Sequence, residues 1–201
     1  MIKGLKAHLA RRGYIKIGGL GEERKTRGGD KFALPEKWDH FKITTLERDS
    51  AGRLAIDHEV MKHYGEKPKE INIIFFSNKI QDVYEDFFAY YTGKSCTCKG
   101  DGKVAVWDKK VGGEPKGLTN LEEDRGNGKI KVACCLHNDH GEYCPYISKD
   151  DNGSEVRCKP NAILRCLIEE AQSVGAVYEF RTTSWNTLRA LRGSFGILER
   201  I

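Results

Sequence analysis

The 201-residue chain reads as an α+β protein: a mixed or antiparallel sheet packed by a few helices, with a Cys-rich zinc-binding insert. Three observations predict this. Short segments alternate apolar and polar side chains with the two-residue period of a half-buried strand. Other segments carry apolar residues at three- and four-residue steps, or show helix caps. Seven cysteines all fall between Cys96 and Cys166, mostly in a stretch without long apolar runs.

Taken in order, Lys3–Arg12 forms a short helix with Leu5 and Leu9 on one face. Tyr14-Ile15-Lys16-Ile17 alternates as a strand, which Gly18-Gly19-Leu20-Gly21 ends, and a charged loop runs to Phe32. Phe41-Lys42-Ile43-Thr44 is a second alternating strand. Asp57 caps a helix that reaches Tyr64 and stops at Gly65. Glu70–Phe76, rich in Ile and Phe, reads as a buried strand. Gln81–Tyr91 is the clearest helix, because Val83, Tyr84, Phe87, Phe88 and Tyr91 recur at helical steps and Gly93 closes it. Ala162–Ile168 is regular but of undecided type, and Val177–Thr182 is a strand. Ser184 caps a last helix with Trp185, Leu188 and Leu191 inward.

This organisation divides the chain into 1–95 and 161–201, two parts of one core, around an insert at 96–160. In the insert Cys, Gly, Asp, Lys and His dominate, and Lys109–Gly128 is nearly all loop, so a metal is expected to compensate for a thin core. No stretch approaches the roughly 20 apolar residues of a membrane span. The start, Met-Ile-Lys-Gly-Leu-Lys, lacks the apolar run of a secretory signal, so a cytoplasmic protein is expected.

In a reducing compartment clustered cysteines favour metal over disulfides, and the odd number leaves one unpaired in any case. Four thiolates make a closed tetrahedral zinc site. Cys96 and Cys98 are expected not to ligate together, nor are the adjacent Cys134 and Cys135. One from each pair with Cys144 and Cys158 gives the expected set: Cys98, Cys135, Cys144 and Cys158. Cys96, Cys134, His137 and His140 are alternates, and Cys166, in an apolar run, is core.

Residues 1–31 hold nine Lys/Arg against three Asp/Glu, a local +6, and residues 181–201 hold four Arg against one Glu, a local +3. The net charge of +5 leaves the middle acidic. If the two ends meet, they make a surface that attracts phosphate backbones. Its candidate contacts are Lys16, Arg24, Lys25, Arg27, Arg181, Trp185, Arg189 and Arg192.

Catalytic patterns fail. Gly93-Lys94-Ser95 invites a P-loop reading, but position 88, where that motif needs glycine, is Phe88. Neither HExxH nor GxSxG occurs. A metal-dependent hydrolase would have to use Asp139, Glu142 and the loop histidines, which nothing singles out. The chain is therefore read as binding rather than catalysing, with no small-molecule substrate evident.

Several phrases together resemble one family. They are Gly13-Tyr14-Ile15-Lys16-Ile17-Gly18, His40-Phe41-Lys42-Ile43-Thr44-Thr45 and Tyr64-Gly65-Glu66-Lys67-Pro68-Lys69-Glu70-Ile71, followed by Cys98-Lys99-Gly100-Asp101-Gly102. Then come Cys144-Pro145-Tyr146, Cys158-Lys159-Pro160 and Tyr178-Glu179-Phe180-Arg181-Thr182-Thr183-Ser184-Trp185-Asn186. In this order they resemble phage and prophage proteins of the recombination directionality factor-like family, some of which are called metal-binding. The resemblance implies a non-enzymatic accessory factor that binds a large serine integrase and redirects it from integration to excision. It departs at one point: family members continue past the last helix with a further apolar segment, where this sequence ends at Ile201. A competing expectation is a nucleic-acid-binding subunit, for RNA or single-stranded DNA, within a larger ribonucleoprotein or CRISPR-type complex.

Overall fold

The computed structural model describes residues 9–29, 31–50, 52–115, 117–122, 126–134, 148–149, 155–156, 158–171 and 176–198. The chain forms two compact units, residues 1–84 with 163–181 and residues 85–162 with 182–201.

The first unit begins with two long antiparallel strands, β1 (Ala10–Lys25) and β2 (Lys31–Arg48), followed by β3 (Leu54–Ile56), which pairs antiparallel with β2. Ala10–Arg12 is thus strand, not the end of the expected helix, whose remainder lies outside the described residues. The glycine run does not end β1 either. A Cβ on Gly18 would lie 2.6 Å from the Glu36 carbonyl oxygen, and one on Gly19 would lie 2.6 Å from the Trp38 ring. These glycines let β2 approach closely, which is the other reason a strand carries them.

Helix α1 (His58–Tyr64) forms as expected: the Asp57 carboxylate accepts the Val60 N–H, and Gly65, at φ 81°, ends the helix. The run at 70–76 contains only a two-residue strand, β4 (Ile73–Ile74), whose side chains are exposed. A single turn, α2 (Ile80–Val83), is all that forms of the expected long helix.

In the second unit, β5 (Tyr84–Thr92, of which Glu85 onward belongs here) is the aromatic stripe in extended form. Aromatic side chains favour strands, and the hairpin that β5 makes through Gly93 with β6 (Ser95–Gly100) overrides the helical spacing. Gly93-Lys94-Ser95 is therefore a hairpin turn, not a phosphate loop. A meander follows: β7 (Val104–Asp108), the turn α3 (Lys109–Gly112), β8 (Asn120–Glu122) and β9 (Lys129–Ala133), in the order β5-β6-β7-β9-β8. Two short strands, β10 (Ser148–Lys149) and β11 (Glu155–Val156), pair with each other. The expectation of a thin core here is corrected for residues 96–134. Ala105, Trp107, Ile130, Val132 and Cys134 form a buried cluster, with Tyr90, Cys98 and Leu118 against it. The alternation of Val104–Trp107 and Lys129–Val132 supplies that cluster without any long apolar run.

Strand β12 (Lys159–Ile168) settles the undecided segment, and β13 (Ala176–Thr182) follows. In the first unit the order is β3-β2-β1-β13-β12, with β4 on β12. β1 and β13 run parallel among antiparallel neighbours, which makes the sheet mixed. Its core face carries Ile15, Ile43, Cys166, Ile168 and Tyr178 against Val60 and Met61 of α1. Burial of a large apolar side chain contributes about 1.5–3 kcal/mol. Cys166 is core as expected, and burial pushes its thiol up to about 12. Helix α4 (Trp185–Leu198) is the last described element; Leu188 and Phe195 are its buried residues, whereas Trp185, expected inward, is 52% exposed.

Candidate nucleic-acid interface

Strand alternation splits β1 into two chemistries. Ile15 enters the core opposite Ile43 and Phe180, so its neighbours Tyr14 and Lys16 face the other way. Tyr14 stands opposite Thr44 on β2 and Glu179 on β13, and Lys16 stands opposite Lys42. The face away from the core is thereby charged by register.

Glu179 is its centre and is only 7% exposed. One carboxylate oxygen accepts hydrogen bonds from Arg11 Nη1 at 3.0 Å and from Arg181 Nε and Nη2 at 3.0 and 2.7 Å. The other oxygen lies 3.4 Å from Arg165 Nε. Burial pushes the Glu179 carboxyl up, but the hydrogen bonds from Arg181 and Arg11 outweigh it and hold the group below its usual range. Above Tyr14 the Arg11 and Arg181 guanidinium carbons lie 4.8 and 5.5 Å from the ring centre and Lys16 Nζ lies 5.9 Å from it, all within reach of the ring's quadrupole. One carboxylate thus organises three guanidinium groups, and the excess positive charge sits on partly exposed side chains: Arg11 is 36% and Arg181 52% exposed. Cations held by a buried counter-charge suit phosphate oxygens, which accept forked hydrogen bonds from arginine.

Of the predicted contacts, Lys16 and Arg181 come together here. Arg24 and Lys25 lie at the far end of β1, about 25 Å along the strand from Lys16, and Arg27 lies in the turn beyond. Trp185, Arg189 and Arg192 are on α4 of the second unit. There Trp185 packs against Phe88, with ring centres 5.7 Å apart, and Arg192 binds Asp86, so both serve to seat α4. Arg11, Tyr14, Arg165 and Glu179 were missed by sequence reasoning. A usable signal existed: Tyr14-x-Lys16 and Glu179-x-Arg181 are the polar phases of strands whose apolar phases were recognised.

The expected zinc ligands divide. Cys98 is half-buried against the Trp107 cluster and Cys158 is half-buried before β12, whereas Cys135, Cys144, His137 and His140 lie outside the described residues. Among the described residues no three His, Cys, Asp or Glu side chains are placed to hold an ion. Cys134, an alternate ligand, is a core residue, 8% exposed. The separation assumed between Cys96 and Cys98 does not follow from strand geometry. Residues two apart share a face in a regular strand, and β6 is irregular between the positions opposite Tyr90 and Tyr91.

The first unit is thus a mixed sheet whose face away from the core carries Arg11 and Arg181 around the buried Glu179 carboxylate. The chain is a member of the Gp3-like family of recombination directionality factor-like proteins, whose model matches residues 13–201 and so takes in Tyr14, Lys16, Arg165, Glu179 and Arg181. Its family role is that of an accessory to phage recombination. No curated protein and no solved structure matches the chain. No helix among the described residues is long and apolar enough to cross a membrane.

Proposed function

We propose that this protein is a non-enzymatic accessory factor that controls the direction of phage site-specific recombination. It binds a large serine integrase, while the face around Tyr14 meets the phosphate backbone of the integrase's DNA. The observation that carries the DNA part is the Glu179 cluster, where one buried carboxylate is shared by the partly exposed Arg11 and Arg181 and cannot neutralise both. A factor of this kind acts by differential contact: it shifts the balance between two synapses only by as much as it prefers one of them. Reversing a 99:1 preference takes about 5.5 kcal/mol, which a protein contact and several phosphate contacts supply together. Binding of single-stranded RNA or DNA by stacking is less supported, because the Tyr14 ring is already covered by cations.

With the cognate integrase, the purified chain is expected to raise excisive product and suppress integrative product. The double variant Arg11→Gln/Arg181→Gln is expected to weaken DNA association by the synaptic complex and to lower its log–log salt slope by about 2. An unchanged product ratio in the presence of the wild-type chain removes the reading.

Zinc is part of the same proposal, held by Cys98, Cys135, Cys144 and Cys158. Its support is a soft thiolate set gathered in one segment, with the core cysteines Cys134 and Cys166 set aside. The ion would act as a structural staple. Metal analysis is expected to find about one zinc per chain, as a closed four-thiolate site holds a single ion, lost in Cys144→Ser. Metal-free protein whose melting does not respond to a chelator overturns this part alone.

A further inference from the structure

Strands β1, β2 and β3 enclose an open cleft of about 680 Å³, lined among others by Lys16, Trp38, Lys42, Arg48, Leu54 and Ile56. We propose that this cleft is a phosphate-binding site, taking a phosphate monoester or diester on Lys16, Lys42 and Arg48. Its volume is that of a small-ligand pocket, and its charge arrangement is costly for the protein alone. Lys16 and Lys42 are directly opposed across β1 and β2, a like-charge pairing that destabilises a ladder. The neighbouring Ile15–Ile43 pair is fully committed to the core, so the register cannot slip to part them.

Among the described residues neither lysine, nor Arg48, has a carboxylate within ion-pair distance. Two carboxylates do line the cleft. Asp49 is held by the Arg53 side chain at 3.0 Å and by the Arg53 N–H at 2.8 Å. Glu36 lies beside Gly21, at another part of the wall. Burial lowers the proton affinity of Lys16, and Arg48 lowers it further, as expected of cations gathered without a counter-ion.

The cations are also pre-positioned. Arg48 donates to the Gly52 carbonyl oxygen in the β2–β3 turn, which aims its guanidinium. Lys42 Nζ sits 4.1 Å from the centre of the Trp38 ring, and that ring lies on the bare Gly19 backbone. The apolar wall of Leu54 and Ile56 reduces local screening and strengthens attraction for an anion. A phosphate monoester offers up to two charges and three acceptor oxygens to three donors; a diester, like a lone side-chain carboxylate, offers one charge and two terminal oxygens, but it recurs along a nucleic-acid backbone.

The test is direct titration of the full chain, followed by Trp38 fluorescence with Trp38→Phe as the reporter control. The probes are a nucleoside 5′-monophosphate and a short thymidine oligonucleotide without terminal phosphates. Saturable binding is expected, weakened about tenfold in Lys42→Gln and in Lys16→Gln. Unliganded Lys42→Gln is expected to melt no lower than wild type, since it relieves the opposed charges, yet to lose the rise in melting temperature that the bound probe gives wild type. Binding of the monophosphate alone assigns the site to a free phosphorylated ligand. Binding of the oligonucleotide assigns it to a nucleic-acid backbone and so deepens the reading above. Absence of saturable binding by either probe, or equal binding by wild type and Lys42→Gln, overturns the proposal. The titration contains no integrase, so its failure and that of the recombination assay are separate.

Discussion

Replacing Asp57 by alanine is expected to destabilise the first unit by about 3–5 kcal/mol, the cost of breaking a buried charged network on one side. Asp57 is 3% exposed and serves three partners. Its Oδ1 accepts the Val60 N–H at 3.3 Å, capping α1, and its Oδ2 accepts the Tyr178 hydroxyl at 2.7 Å and Arg12 Nε at 3.2 Å. The cap alone accounts for about 1 kcal/mol. The larger part comes from Tyr178, which is fully buried and has its proton held well above the usual range by burial and then by Asp57. Without the carboxylate its hydroxyl is left in the core unpaired. Arg12 keeps Glu59 as a partner and so contributes less. Asp57→Asn is the informative companion: its amide keeps one acceptor oxygen, which serves the Val60 cap or the Tyr178 hydroxyl but not both, and it is expected to cost less than the alanine. Urea melts with an unchanged slope and a shifted midpoint would report this. If Asp57→Ala melts within 0.5 kcal/mol of wild type, a surface-like effect, this network does not fasten α1 to the sheet.

Asp57 also shows what a sequence yields. The cap, the seven-residue helix and Gly65 were legible because their chemistry is local: a carboxylate, a free N–H and a glycine at positive φ lie within a few residues. The bond from Asp57 to Tyr178 spans 121 positions and leaves no local trace. The same holds for Arg11 and Glu179, 168 apart, which meet because β1 and β13 are parallel neighbours. Basic composition at the chain ends drew attention to Lys16 and Arg181, which the fold brings together over Tyr14. Composition does not distinguish a cation facing solvent alone from one that also pairs with a carboxylate, as Arg192 does with Asp86. The misread helix at 81–91 has a physical cause. Residues 84, 87, 88 and 91 satisfy helical spacing, yet the hairpin through Gly93 and ladder pairing with β6 decide the outcome, and both depend on the chain beyond the window. The glycine run at 18–21 misled for a related reason: a glycine needed for close approach looks, in sequence, like one needed for a turn.

Trp107→Ala tests whether the meander of the second unit holds itself together. The ring is 1% exposed, stacks with Tyr90 at 6.4 Å and 15°, and donates its N–H to the Gly113 carbonyl at 2.8 Å. Gly112 lies so close that a Cβ there would be 2.6 Å from the indole, so the turn after β7 is moulded on the ring. Removal leaves a cavity among Ala105, Ile130, Val132 and Cys134 and strands the Gly113 acceptor, a loss of about 3–5 kcal/mol. Trp107→Phe keeps most of the apolar area and is expected to lose only about 1–2 kcal/mol. Denaturant melts of both variants, with and without a chelator, separate the two devices that this unit is proposed to use. A core centred on Trp107 predicts that the alanine penalty survives metal removal, because Cys98, the proposed ligand that packs against this cluster, does not fill the space the indole leaves. If the penalty vanished once metal was removed, the cluster would be a consequence of the ion instead of an independent core.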